Sequence, residues 1–232
     1  NLFMKQNNKI VLISGVSRGI GNAVALRFLK ENSIVFGISR KKITKKNLLL
    51  GYKNFFPLKG NINNVNFLFK CKNFIEKKFK KIDVIILNAA IIGEMKMIKK
   101  SNLKIWKDVV NTNLIANFYI IRIFFNLINK SKFGRIISVT TTATWKVRPL
   151  WGAYSSSKAG LEMLVKILNK ENANKNLKIN FVDPGRVRTN MRAVAAPKEN
   201  PEQNPLPEKI VDTFVLLSSV KCKFSGRIVK AQ

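Results

Sequence analysis

The stretch "KIVLISGVSRGIGNAVALRFLKEN", residues Lys9–Asn32, decides the fold. Lys9–Ser14 is an apolar run of strand length, and from Gly19 onward the apolar residues recur at helical spacing. "SGVSRGIG" (Ser14–Gly21) joins the two. In this turn Gly15, Gly19 and Gly21 allow a tight reversal and a close approach of the backbone to a pyrophosphate, whose charge a helix N-terminus favours. Ser17, Arg18 and Ile20 complete the loop. The spacing is G-x-x-x-G-x-G, a variant of the G-x-G-x-x-G dinucleotide fingerprint.

The strand–helix alternation continues along the chain. "SIVFGIS" (Ser33–Ser39), "NFFPLKG" (54–60), "DVIILNA" (Asp83–Ala89), "GRIISVT" (Gly134–Thr140), "LKINFVDPG" (Leu177–Gly185) and "GRIVKA" (226–231) read as strands. Helical patterns cover "VNFLFKCKNFIEKKF" (65–79), two stretches at 101–112 and 113–130, a segment from Tyr154 to Ala173, and a last helix behind a proline-rich loop. Strands that are apolar throughout, joined by crossover-length helices, imply a parallel sheet covered on both faces. Right-handed crossovers make it a doubly wound α/β fold. No repeat or linker divides the chain, so one Rossmann-type domain over residues 1–232 is expected. Residues 185–207 are the one long irregular segment and are read as a substrate-side loop within it.

Composition excludes several chemistries. The chain of 232 residues has no histidine, which rules out an imidazole base and histidine-ligated zinc; no metal site is expected. Cys71 and Cys222 lie far apart and read as reduced thiols of a cytoplasmic protein. The net charge is +31, but Lys, Asn, Ile and Phe, all with A/T-rich codons, are abundant together. The basic runs "KKITKK" and "KCKNFIEKKFKK" therefore read as solvated surface and not as a nucleic-acid groove. The polar start "NLFMKQNNKI" is not a signal peptide. "NLIANFYIIRIFFNLI" (113–128) is interrupted by Arg122 and asparagines, and reads as a buried helix instead of a membrane span.

The glycine variant, in this position, resembles that of the short-chain dehydrogenase/reductase family. The resemblance runs from about Lys9 to Val229 and implies a single Rossmann-type domain with a mostly parallel seven-stranded sheet flanked by helices. It also implies an oxidoreductase that uses a nicotinamide dinucleotide. An NAD(H) enzyme would end its second strand with an acid that accepts from the adenosine ribose. Here "ISRKK" puts Ser39 at that place and Arg40 next. Arg40 and Arg18 match a 2′-phosphate in charge and fork geometry, so NADP(H) is expected over NAD(H). Asn61 stands where the family often has an aspartate near the adenine, with Ile62 beside it. "NAA" (Asn88, Ala89, Ala90) replaces the family's "NAG" after the fourth strand. "DPGRVRT" (Asp183–Thr189) resembles the "PG" loop after the sixth strand, with Pro184 and Gly185 shaping it. Thr189 would then bond the nicotinamide carboxamide and Val187 would offer its backbone.

Within "YSSSK", Tyr154 and Lys158 share one face of a helix, a turn apart. A free phenol has a pKa of about 10; a neighbouring ammonium and an oxidised nicotinamide are expected to lower it. By the resemblance, Tyr154 exchanges a proton with the carbonyl oxygen, and Lys158 also holds the nicotinamide ribose. Thr141 lies thirteen residues ahead of Tyr154, where the family has serine; its hydroxyl can bond the substrate oxygen, and its methyl takes up room. Thr140 and Thr142 are adjacent alternatives. Asn113 aligns with the family asparagine that keeps a water beside the lysine, with Asn111 the neighbouring alternative.

"TATWKVRPLWGAY" and "RTNMRAVAAPKENPEQNPLPEKI" resemble a YciK-like bacterial subgroup, often described as 3-oxoacyl-carrier-protein reductases. That resemblance brings Trp145, Pro149, Leu150 and Trp151 to the substrate side. A small-molecule carbonyl reductase or alcohol dehydrogenase is one expectation. A 3-oxoacyl-carrier-protein reductase, whose basic surface would attract an acidic carrier, is another. A basic nucleic-acid- or membrane-surface-binding protein on a degenerate scaffold is the alternative of a different class. A homodimer or homotetramer, joined through the helices after the fourth and fifth strands, is also expected.

Overall fold

The structure is a computed structural model that describes residues 9–44, 46–172 and 176–232. Ala173, the expected end of the fifth helix, and the polar first eight residues lie outside that set.

Seven strands form one sheet: β1 (Ile10–Ser14), β2 (Ile34–Ser39), β3 (Phe55–Lys59), β4 (Val84–Leu87), β5 (Arg135–Val139), β6 (Lys178–Asp183) and β7 (Ile228–Lys230). Their order is β3-β2-β1-β4-β5-β6-β7. All six pairings are parallel, in keeping with the expected sheet. β1 is buried at every position. Its alternate side chains serve two cores, as a doubly covered strand requires. Ile10 and Leu12 join Phe36, Phe124 and Leu161 on one face; Val11 and Ile13 join Phe28, Phe214 and Leu217 on the other.

The helices are α1 (Gly19–Lys30), α2 (Val65–Phe79), α3 (Leu103–Val110), α4 (Ala116–Asn129), α5 (Gly152–Glu171), α6 (Asn190–Ala195) and α7 (Val211–Ser218). α2 starts where Asn64 caps Phe67 N and ends on Lys80 in the left-handed region. Two expectations change. The stretches read as separate helices at 101–112 and 113–130 are continuous, because a π turn over Asn111–Ile115 joins α3 to α4 with helical backbone on both sides. One extra residue in that turn shifts the apolar register, which mimics a break in sequence. The segment 185–207 contains α6 and a short 3-10 turn, Pro201–Gln203, so it is less irregular than expected.

Strand order reverses direction between β1 and β4. A crevice opens there, outside the carboxyl ends of the strands, as it does in open doubly wound sheets.

Candidate active site

The crevice measures about 860 Å³, within the range of small-molecule sites. Its floor is the glycine turn. Gly15 and Gly19 sit at φ +81° and +60°, a region glycine enters without steric cost. A Cβ on Gly21 would overlap the Gly15 carbonyl oxygen and the Asn88 amide, so only glycine lets α1 start so close to β1. Gly15 N and Val16 N donate to the Ile38 carbonyl at 2.8 and 3.2 Å, which ties the turn over β2. No side chain caps the N-terminus of α1 and no acid occupies its first turn. Its unpartnered N–H groups and the glycine cradle fit a pyrophosphate.

Asn88 fastens the other wall. Its amide donates to the carbonyls of Ser14 and Gly15 at 2.9 and 3.2 Å, while Ser14 Oγ accepts from Asn88 N and Ala89 N. Ser17, Arg18, Gly19, Ile20, Arg40, Ile62, Ala89 and Ala90 all line the crevice. Asn61 does not. It is exposed, and its side-chain oxygen caps Asn63 N at 3.1 Å, which leaves Ile62 to face inward. Lys41 and Lys42 also line it, although the sequence reading assigned their run to solvated surface. Their position directly after Arg40 at the end of β2 was the available signal. No carboxylate appears among the described lining residues.

On the far side, Pro184, Gly185, Val187 and Thr189 follow β6 and line the crevice. Thr189 Oγ1 caps α6 by accepting from Arg192 N at 3.2 Å, so its O–H remains able to donate outward. Its methyl would touch a Cβ placed on Gly19, so this loop folds across the glycine turn.

Tyr154 and Lys158 project from α5 into the same crevice. Lys158 is 4% exposed and donates to the Val139 carbonyl at the end of β5, at 2.5 Å. Burial pushes its pKa down to about 8, against an opposing pull from Glu162. Burial, with the carboxylate of Asp183 in the same sense, pushes the Tyr154 phenol up to about 12. The sequence reading expected the ammonium to lower the phenol. Burial and Asp183 act in the opposite direction, because both disfavour a phenolate.

Of the three adjacent threonines, Thr141 is the one that lines the crevice with its O–H left to donate; its oxygen accepts from Ala143 N at 3.3 Å. Thr140 Oγ1 is spent on Glu162 at 2.5 Å, and Thr142 Oγ1 accepts from Arg148 and lies off the crevice lining. Asn113 is fully buried behind the wall. Its oxygen accepts from Ile91 N at 2.8 Å, and its amide donates to the Ile91 carbonyl and Ser157 Oγ at 2.9 and 3.0 Å. Its side chain is therefore occupied in joining the "NAA" loop to α5. Trp151 alone of the four expected substrate-side residues lines the crevice, edge-on to Tyr154 with ring centroids 5.7 Å apart. Trp145, Pro149 and Leu150 do not line it, and Trp145 is 65% exposed.

Comparison with known proteins agrees with this geometry. The family model described as short chain dehydrogenase matches residues 9–200, and the chain belongs to that family. It is 25% identical over 218 residues to the uncharacterized oxidoreductase YciK of Escherichia coli K12, covering 91% of this chain and 86% of that protein. It is 30% identical over 223 residues to the 3-oxoacyl-[acyl-carrier-protein] reductase FabG of Buchnera aphidicola subsp. Baizongia pistaciae, covering 94% and 89%. A short chain dehydrogenase of Shigella flexneri 2a strain 301, solved in complex with NADP, superposes with a TM-score of 0.91 at 24% identity, covering 98% of each chain. The chain is thus an oxidoreductase of the short-chain dehydrogenase type. Among the described residues no helix is long and apolar enough to cross a membrane, and no cluster of potential metal ligands occurs.

Proposed function

We propose that this protein is an NADP(H)-dependent oxidoreductase that interconverts a carbonyl and a secondary alcohol, with Tyr154 as proton donor and acceptor. One observation carries the reading: Tyr154 and Lys158 face the same crevice as the glycine turn and Arg40. When bound, the nicotinamide supplies or accepts the hydride. Arg18 and Arg40, on a described crevice lining without an acid, hold the 2′-phosphate, which is consistent with the NADP complex of the Shigella relative. Lys158 keeps one N–H on Val139 and directs the others toward the ribose and the phenol. Thr141 donates to the substrate oxygen, Thr189 and the Val187 backbone hold the carboxamide, and Trp151 excludes water beside Tyr154. The loop 185–207 closes the substrate side. The Asn113 side chain fixes Ile91 and Ser157, holding the loop after β4 against α5.

The relation to FabG favours a second reading, in which the carbonyl belongs to a 3-oxoacyl thioester on an acidic carrier protein. Phe118 on α4 and Met163 and Ile167 on α5 are exposed apolar residues that suit a homodimer or homotetramer. A panel of ketones, aldehydes and acyl thioesters, followed by NADPH absorbance, tests the function; no substrate-dependent oxidation with any of them refutes it. A light-scattering mass of one chain refutes the oligomer.

A further inference from the structure

α5 carries a ladder of four polar residues at four-residue steps: Tyr154, Lys158, Glu162 and Lys166. The first two serve the chemistry proposed above. The third is unusual, because Glu162 is only 7% exposed and a buried carboxylate is retained only when it is thoroughly bonded. It is. One oxygen accepts from Thr140 Oγ1 at 2.5 Å and the other from Lys166 Nζ at 2.7 Å. Burial works to raise its pKa, yet these donors bring it below the ordinary carboxylate value, so Glu162 is ionised.

Thr140 links this carboxylate to the catalytic lysine through the backbone. Lys158 bonds the Val139 carbonyl and Glu162 bonds the next residue's hydroxyl, while Thr140 N is anchored on the Val182 carbonyl at 2.8 Å. The end of β5 is thereby gripped by two consecutive rungs of α5. Three uncharged side chains pack on this part of the helix: Trp106 of α3 against Gly152, Leu114 against Gly160, and Asn113 on Ser157. Asp183, at the end of β6, acts on Tyr154. Glu162, one turn along α5, is the charge that opposes the effect of burial on Lys158.

We propose that Glu162 is a positioning residue: its buried carboxylate, one helical turn from Lys158, keeps that ammonium charged beside Tyr154. This rests on the oxidoreductase reading above, and it extends the proton-transfer pair by one helical turn. At an operating pH near neutrality the arrangement matters, because burial without a counter-charge would discharge a lysine.

The test is the pH behaviour of Glu162→Gln, which keeps the side chain's size and its bond from Thr140. Lys158 is titrated in the ligand-free chain by side-chain nitrogen NMR, with its signal assigned by loss in Lys158→Ala. The expected midpoint falls by about one pH unit in Glu162→Gln, a tenfold change in proton affinity. The alkaline limb of kcat/KM for carbonyl reduction moves down with it, while activity at pH 6 stays within a few-fold of wild type. Lys166→Met removes an exposed competitor for the same carboxylate, so its midpoint moves upward or stays. An unmoved Lys158 midpoint in Glu162→Gln, or a uniform loss of activity at every pH, overturns the proposal and leaves Glu162 a packing residue. A shifted midpoint in a chain that turns over no carbonyl upholds the coupling and overturns the oxidoreductase reading instead.

Discussion

The side-chain amide of Asn88 donates to the Ser14 carbonyl across 2.9 Å, tying the end of β4 to the end of β1 at the point where the strand order reverses. The same amide reaches Gly15, whose carbonyl lies against Gly21. Asn88→Ala leaves two partly buried carbonyls short of a donor, at about 1–3 kcal/mol. Thermal unfolding should fall by several degrees, with NADPH affinity falling as well. An unchanged Tm measured by calorimetry would mean that water replaces the amide and that the clamp is not structural.

Tyr154→Phe removes a single oxygen from a half-buried ring whose hydroxyl has no bond among the described residues. Packing against Trp151 survives. General acid–base contributions of this type are about 10²–10⁴ in rate, so kcat should fall by that factor while NADPH binding by fluorescence titration is nearly unchanged. Retained turnover would remove Tyr154 from the mechanism.

Lys158 is bought at a cost in stability. Its pKa is about 8 in the folded chain against an ordinary 10.5, so between those values the unfolded chain binds more protons and stability rises with pH. Below pH 8 the full penalty is present; above about 10.5 it is gone. Lys158→Met should therefore raise Tm by several degrees at pH 7, even after about 1 kcal/mol is lost with the Val139 bond. The gain should vanish by pH 11, and carbonyl reduction should be abolished. Denaturant unfolding at the two pH values decides it, and an equal gain at both would refute the linkage.

Arg40→Asp puts a carboxylate at the end of β2, where the described crevice lining has none. Charge-assisted bonds of about 1.5–3 kcal/mol are lost and repulsion is added. The Kd for NADPH should rise roughly ten- to a hundredfold, while that for NADH changes little. Parallel titrations with both cofactors check this. Equal effects on the two would return the choice to NAD(H).

Much of this was legible along the chain because it rests on local rules. A strand wholly apolar at Ile10–Ile13 needs cover on two faces, and a glycine at Gly21 is needed wherever a helix starts against a turn, whatever else surrounds it. The alternation of such strands with helices specifies a parallel doubly wound sheet, and the order of Gly15, Asn88, Tyr154 and Lys158 along the chain specifies the family. Side-chain allegiance is a different matter, since it depends on which partner in space wins each donor. Thr140, Thr141 and Thr142 are indistinguishable as a sequence, and only packing commits the Thr140 hydroxyl to Glu162, leaves Thr142 off the crevice and keeps Thr141 on it. Asn61 turned to its own backbone and Trp145 to solvent for the same reason. The π turn at Asn111–Ile115 and the upward push on Tyr154 also needed three dimensions, because register and desolvation belong to the packed chain and have no counterpart in the order of its residues.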